Sequence, residues 1–339
     1  MKHFHAGFKS IGIVLFICVI CILAAVGINY IAAWERKSTA VTLNSSGYHI
    51  FPAPSEIQSG GQTYVENKDL ITVLLLGIDT PGKAVSSDSY NNDQQADFLA
   101  LLVIDPETNE CTLLHINRDT MTDVSVLGVT GQAAGTVFGQ IALAHTYGSG
   151  LKDSCENVTD TVSRLLCGIT VDYYISINMD AVAVLNDQIG GVTVTIEDDF
   201  SQVDPELVKG ETVTLTGEHA LNFVRARQGM DDPTNLSRMA RQRQFISAFF
   251  SQFQSKMSSE NSSQENFILS LYHSLSDYLV TNCPVQTLSS LSDRLTKIEE
   301  IKTQDLTGTV EKGEFVEFYP DKDKLFELTM NTFFELAAS

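Results

Sequence analysis

The stretch Ile71–Ile78, ITVLLLGI, is an almost unbroken apolar run that stops at Gly77, Asp79 and Pro81. A strand with one wet face alternates apolar and polar side chains, whereas a continuous run of this length suits a strand covered on both faces. Working outward, residues 98–104 and 111–117 predict two further strands joined by the turn Asp105-Pro106-Glu107-Thr108-Asn109. Helices are predicted over 137–147 and 154–167, the second closed by Gly168 as a C-terminal cap. A strand over 171–178, a helix over 180–189 closed by Gly190 and Gly191, and a strand over 192–196 follow. Near the end, a strand over 314–319 and a helix over 322–336 predict a tail that closes the same domain. Strands and helices alternate, so the expected class is α/β, a mixed central sheet flanked by helices.

The chain has 339 residues and a formal net charge of -20, which argues against nucleic acid as the main partner, since a phosphate backbone calls for a basic surface. Residues 11–33, IGIVLFICVICILAAVGINYIAA, are uncharged and apolar. At about 1.5 Å per helical residue they span a hydrocarbon core of roughly 30 Å. The expected organisation is a short cytoplasmic tail over 1–10, a transmembrane helix over 11–33, a stalk rich in Ser, Gly, Thr and Pro over 34–68, and a large folded domain over 69–339 outside the membrane. Tyr30 and Trp34 fit an interfacial belt. Cys18 and Cys21 fall in the span, leaving Cys111, Cys155, Cys167 and Cys283 without zinc-site spacing. Cys155 and Cys167 are placed on one helix, too far apart to pair.

Against the acidic background, Arg225, Arg227, Arg238, Arg241 and Arg243 crowd into residues 215–253, with Arg36, Arg118, Arg164 and Arg294 elsewhere. NFVRAR, residues 222–227, reads as extended, which puts Arg225 and Arg227 on one face. A helix capped by Asn235 or Ser237 and running to about residue 253 sets Arg238, Arg241 and Gln242 at i, i+3 and i+4, one polar face. Arginine at such positions suits planar, bidentate recognition of phosphate or carboxylate. The plainer alternative is that Glu218, Asp231 and Asp232 pair with these arginines. Asp79, Asp97, Arg118 and Asp119 fall at strand ends, where ligands of open α/β sheets gather. Two carboxylates facing arginines suit a hard divalent cation bridging protein to phosphate, although each Asp alone also reads as a turn or cap residue. His115 and His145 read as packing or hydrogen-bonding residues, and the absence of GxSxG or Walker loops gives no support to serine-hydrolase or nucleotide chemistry.

Taken in order, VLLLGID, ADFLALLVID, LLHINRDT, the segment ending AHTYGSG, GITVDYYISINMD, LNDQIGGVTVTI, LTGEHALNFVRARQ and LSRMARQRQ resemble the LytR-CpsA-Psr proteins of Gram-positive envelopes. The likeness runs from about residue 71 to 250. It implies a single-pass, extracytoplasmic phosphotransferase. Such an enzyme moves an anionic glycopolymer, teichoic-acid-like or capsular, from a polyprenyl pyrophosphate carrier to peptidoglycan. It further implies that Asp79 and Asp97 hold Mg²⁺ and that Arg118, Arg225, Arg227, Arg238 and Gln242 bind the pyrophosphate, with Arg118, Asp79 and Asp97 catalytic. A greasy tunnel for the prenyl chain is implied too, consistent with Phe245, Phe249 and Phe253, which also read as plain core. The chain departs from the family pattern at Gln95, Phe98, Gln140, Ala142 and His145. A non-catalytic or regulatory polymer-binding protein and a carrier pyrophosphatase are the competing classes.

Overall fold

The computed structural model describes residues 56–87, 92–128, 131–226, 229–230, 235–259, 270, 273–284, 287, 291 and 301–337. The expected membrane span over 11–33 lies outside them, and among the described residues no helix is long and apolar enough to cross a membrane.

The opening stretch forms β3, Ile71–Ile78, preceded by β1, Glu56–Ser59, and β2, Gln62–Glu66. It is followed by β4, Ala96–Ile104, and β5, Cys111–Ile116. With β8, Tyr173–Asn178, β11, Leu279–Thr281, and β12, Ile301–Asp305, they build a six-stranded sheet in the order β11-β8-β3-β4-β5-β12. β3 pairs antiparallel with β4 and parallel with β8, so the sheet is mixed.

The period of two along β3 explains its unbroken apolarity. Val73 and Leu75 enter one core with Ala100 and Leu102, while Leu74, Leu76 and Ile78 enter the other with Leu99 and Leu101. Each fully buried leucine of this kind contributes about 1.5 to 3 kcal/mol. The first core lies under three helices: α2, Asp180–Gln188; α3, Gly217–Arg225; and α4, Asn235–Ser259. The second is covered by α1, Lys152–Leu165, a 3-10 helix Ile141–Thr146, and α5, Lys322–Phe333. α1 ends as expected: Cys167 and Gly168 take φ of 61° and 82°, and the Gly168 amide donates to the Ser163 carbonyl at 2.7 Å.

Four expectations are corrected. Residues 137–147 are not one helix: β6, Met121–Leu127, pairs with β7, Ala133–Gln140, and the 3-10 helix starts only at Ile141. Gly135 at φ 128° and Gly139 weaken a helix, Thr136 and Val137 favour a strand, and β6 offers the hydrogen bonds. Residues 222–225 are helical rather than extended, because Ala220, Phe223 and Val224 at i, i+3 and i+4 bury one face of α3. Extended backbone begins at Ala226, with ψ 132°. The final helix stops at Phe333, capped at its start by Asp321, and the chain continues as β15, Phe334–Leu336. That strand pairs with β2, so residues 56–66, expected in a stalk, belong to the folded unit.

Two short ribbons complete the fold: β9, Val192–Thr195, with β10, Thr212–Leu215, and β13, Gly308–Lys312, with β14, Val316–Pro320. The Phe318 amide donates to the Asp119 carbonyl at 2.8 Å, which ties the tail to the loop after β5.

Candidate active site at one end of the sheet

Register brings the strand-end residues together. Ile78 faces Ala96 and Asn178, and Leu99 faces Ile116, so Asp79, Asp97 and Arg118 emerge at the same end of the sheet. Asp97 is the second residue of β4 rather than the residue before it, and it is buried.

Two arginines close on its carboxylate. Arg118 Nη1 donates to Asp97 Oδ1, and Arg238 Nη1 donates to Oδ2 at 2.6 Å. Arg118 also donates from Nη2 to Gln95 Oε1, and its Nε stands 3.4 Å from Asp119 Oδ1. Both guanidinium groups are buried, which makes this a low-dielectric ion cluster whose Coulombic terms are strong and whose breakage is costly. Toward solvent, Arg225 pairs with Asp79 at 2.7 Å, with side chains 44% and 28% exposed. An inner, closed cluster and an outer, half-open pair therefore sit side by side.

The polar face of α4 divides by role. Arg238 reaches the aspartate, but Arg241 is spent on the backbone beyond α3, donating from Nε to Phe223 O at 3.0 Å and from Nη2 to Ala226 O, and it pairs with Asp198 at 2.7 Å. Gln242 Nε2 donates to Val224 O at 3.3 Å. Arg227 lies outside the described residues. Arg243 stands 4.0 Å from Asp305. Phe245 and Phe249 are fully buried with ring centroids 6.2 Å apart, whereas the Phe253 side chain is outside the described ones.

Second contacts shape this centre. Phe98 packs on His115 with ring centroids 5.1 Å apart. Burial, helped by the Arg243 and Arg238 charges, holds His115 down to about 3, so it is a neutral packing residue. His145 is likewise lowered to about 4, first by burial and against the raising effect of its 2.7 Å hydrogen bond to Gln94 O. Gln140 bridges Asp119 Oδ1 at 3.4 Å and Val316 O at 2.6 Å. The described cysteines are free, and burial pushes Cys111, Cys155 and Cys283 up to about 12, which disqualifies them as nucleophiles. Among the described residues no group of three or more His, Cys, Asp or Glu side chains is arranged to hold a metal.

One feature went unread in the sequence. A cleft of about 560 Å³ beside the start of α3 is lined by Asp187, Asp204, Glu218, His219 and Asn222 among others. His219 Nδ1 and Asp204 Oδ2 are 2.7 Å apart, and Nε2 lies 3.3 Å from Glu206. The hydrogen bond to Asp204 raises His219 above its ordinary 6.5. Burial pushes Asp204 up, but the hydrogen bonds from His219 and Asn222 outweigh it and leave Asp204 below 3.8. The histidine's contribution to stability is therefore full below 6.5 and lost as pH rises through its raised folded value. The aspartate's is present above 3.8 and lost as pH falls through its lowered one. Because the His219 side chain is 34% exposed, solvent screening limits the effect. His219→Gln is expected to cost up to about 1 kcal/mol at pH 6 and less at pH 8.5, read by urea unfolding. Equal losses at both pH values would show that the clamp does not depend on the imidazolium.

Fold and site together define an α/β protein with a buried arginine–carboxylate centre at one end of a mixed sheet. The profile of the LytR_cpsA_psr family matches residues 24–333, and the chain belongs to that family. The polyisoprenyl-teichoic acid–peptidoglycan teichoic acid transferase TagU of Enterococcus faecalis is 28% identical over 306 residues, covering 89% of each chain. The protein of the same name from Halalkalibacterium halodurans is 30% identical over 188 residues, 56% of this chain and only 55% of its own length. Among solved structures, protein gbs0355 of Streptococcus agalactiae aligns over 78% of this chain and 86% of its own, with a TM-score of 0.61 and 26% identity. TagT bound to LI-WTA aligns over 78% and 90%, with a TM-score of 0.56 and 23% identity, and shares the fold.

Proposed function

We propose that this chain is a LytR-CpsA-Psr-type transferase that moves an anionic glycopolymer, teichoic-acid-like or capsular, from a polyprenyl pyrophosphate carrier to peptidoglycan. The observation that carries this reading is the pairing of Asp79 with Arg225 and of Asp97 with Arg118 and Arg238 at one sheet end. Carboxylates and arginines interleaved in this way match a ligand that is itself an anion accompanied by a cation. The names of the relatives support the substrate class.

Asp79 and Asp97 suit Mg²⁺, which takes one or two carboxylates together with water, and each Asp97 oxygen keeps a second lone pair beside the one its arginine uses. Asp79 and Asp97 would hold the ion, whose positive charge would offset the negative charge of the phosphates. The arginines neutralise the charge of the pyrophosphate and fix it in line, since phosphoryl transfer asks mainly for position and electrostatics. An acceptor sugar hydroxyl attacks the glycosyl-linked phosphorus. A new P–O bond forms, the anhydride P–O bond breaks, the hydroxyl proton leaves to a base, and polyprenyl phosphate departs. Residues 11–33 would tether the domain on the outer face of the membrane, within reach of both substrates.

The test uses the full chain with a polyprenyl-pyrophosphate glycopolymer and peptidoglycan. Expected are Mg²⁺-dependent release of polyprenyl phosphate that requires the peptidoglycan acceptor, and loss of that activity when intact cells are treated with external protease. Binding without release would mean a binding protein. Release without acceptor would mean a pyrophosphatase, and protection from protease would overturn the placement.

A further inference from the structure

We infer that Gln95 is a positioning residue for the Arg118 guanidinium and that it sets the affinity of the centre for pyrophosphate. The inference rests on the transferase reading of this site. Gln95 and Asp97 are two apart on entry to β4, so their side chains share a face, and both reach Arg118 from it. Because arginine has donors only, the amide must turn its oxygen to Nη2, which fixes the amide's orientation. The guanidinium is thus held on three sides, by Asp97 at Nη1, Gln95 at Nη2 and Asp119 beside Nε.

The same residue also secures the outer aspartate. The Gln95 carbonyl accepts the Asp79 amide at 2.9 Å. Gln95 therefore joins Asp79 and Arg118 and lies two residues from Asp97, linking the half-open pair to the closed cluster. It is partly exposed where Asp97 and Arg118 are buried, which sets it at the lip of the centre.

A neutral acceptor has a specific consequence here. Arg118 and Arg238 carry two positive charges against the two negative charges of Asp97 and Asp119, so the cluster is balanced. A carboxylate at position 95 would orient Arg118 equally well but leave a surplus negative charge facing an anion. An apolar side chain would leave the charge balance intact but free Nη2 to swing. The amide orients the guanidinium without opposing the ligand.

The experiment measures binding of inorganic pyrophosphate to the full chain by calorimetry at fixed Mg²⁺ and salt, with urea unfolding alongside. Gln95→Leu is expected to weaken pyrophosphate about ten-fold. Gln95→Glu is expected to unfold no earlier than the parent yet to bind more than ten-fold more weakly, with the deficit shrinking at high salt. In an Arg118→Lys background the Gln95→Leu effect should largely disappear, since no fork remains to orient. An unchanged affinity in Gln95→Leu, equal losses with Arg118 or Lys at 118, or parent-like affinity in Gln95→Glu would overturn the inference alone. Failure of the parent chain to bind pyrophosphate at all would overturn the transferase reading and this inference with it.

Discussion

Replacing Asp97 with alanine is expected to destabilise the domain by about 3 to 5 kcal/mol, the range for breaking a buried ion cluster by removing one partner. Arg118 and Arg238 both turn to this carboxylate, and both are buried. Arg118 keeps Gln95 and Asp119, while Arg238 also reaches the Asp97 backbone carbonyl at 3.5 Å. Asp97→Ala combined with Arg238→Met should lose about 1 to 3 kcal/mol less than the two single changes add up to, because the two side chains are direct partners. Urea unfolding of the single and double variants measures this coupling. Strict additivity would show that the two residues do not form a pair. Mg²⁺-dependent transfer should be absent in both Asp97 variants, so stability and activity part company in the double variant.

The interior of this fold was legible because burial on two faces leaves a strong mark. β3, β4 and β5 announce themselves as apolar runs, and α1 and α2 end at glycines that the chain uses as stops. The β6–β7 ribbon was not legible. β7 is exposed along most of its length, so no alternation of apolar and polar residues marks it, and its small residues resemble a helix. The β1–β2 hairpin carried a signal that a polar composition obscured: Gly60 and Gly61 take φ of 58° and 77°, as a two-residue turn requires, between strands holding Ile57, Tyr64 and Val65.

At the site, residue types were legible and partnerships were not. The arginine concentration and the strand-end aspartates marked the region, but that Arg225 meets Asp79 and that Arg118 and Arg238 meet Asp97 is seen only in the fold. The pairing of Arg225 with Arg227 rested on a spacing of two, while the i, i+3, i+4 pattern of Ala220, Phe223 and Val224 in the same segment favoured a helix. The His219–Asp204 clamp joins residues on separate elements, and no local spacing encodes such a contact.

Arg241 shows how a single helical face can serve two purposes. Its spacing from Arg238 puts it on the same polar face, yet its donors go to the Phe223 and Ala226 carbonyls, and its guanidinium stands 5.5 Å from the Phe200 ring centroid. These carbonyls lie where α3 ends and the chain turns extended, so the helix cannot satisfy them and Arg241 supplies the donors. Arg241→Met keeps the length of the stem and deletes the guanidinium. The expected cost is about 2 to 4 kcal/mol, since each buried acceptor left without a donor costs about 1 to 3 kcal/mol and Asp198, partly exposed, recovers water. Arg241→Lys should fall between, because one ammonium cannot reach both carbonyls in the geometry of the fork. The decisive comparison is with Arg238→Met on the same full chain. If Arg241 is structural, its loss lowers the urea midpoint while pyrophosphate affinity in the folded protein falls by less than three-fold, roughly 0.6 kcal/mol. Loss of Arg238 should weaken pyrophosphate ten-fold or more. A large loss of affinity with an unchanged midpoint in Arg241→Met would place that guanidinium on the ligand instead and leave the end of α3 to be held by Gln242 alone.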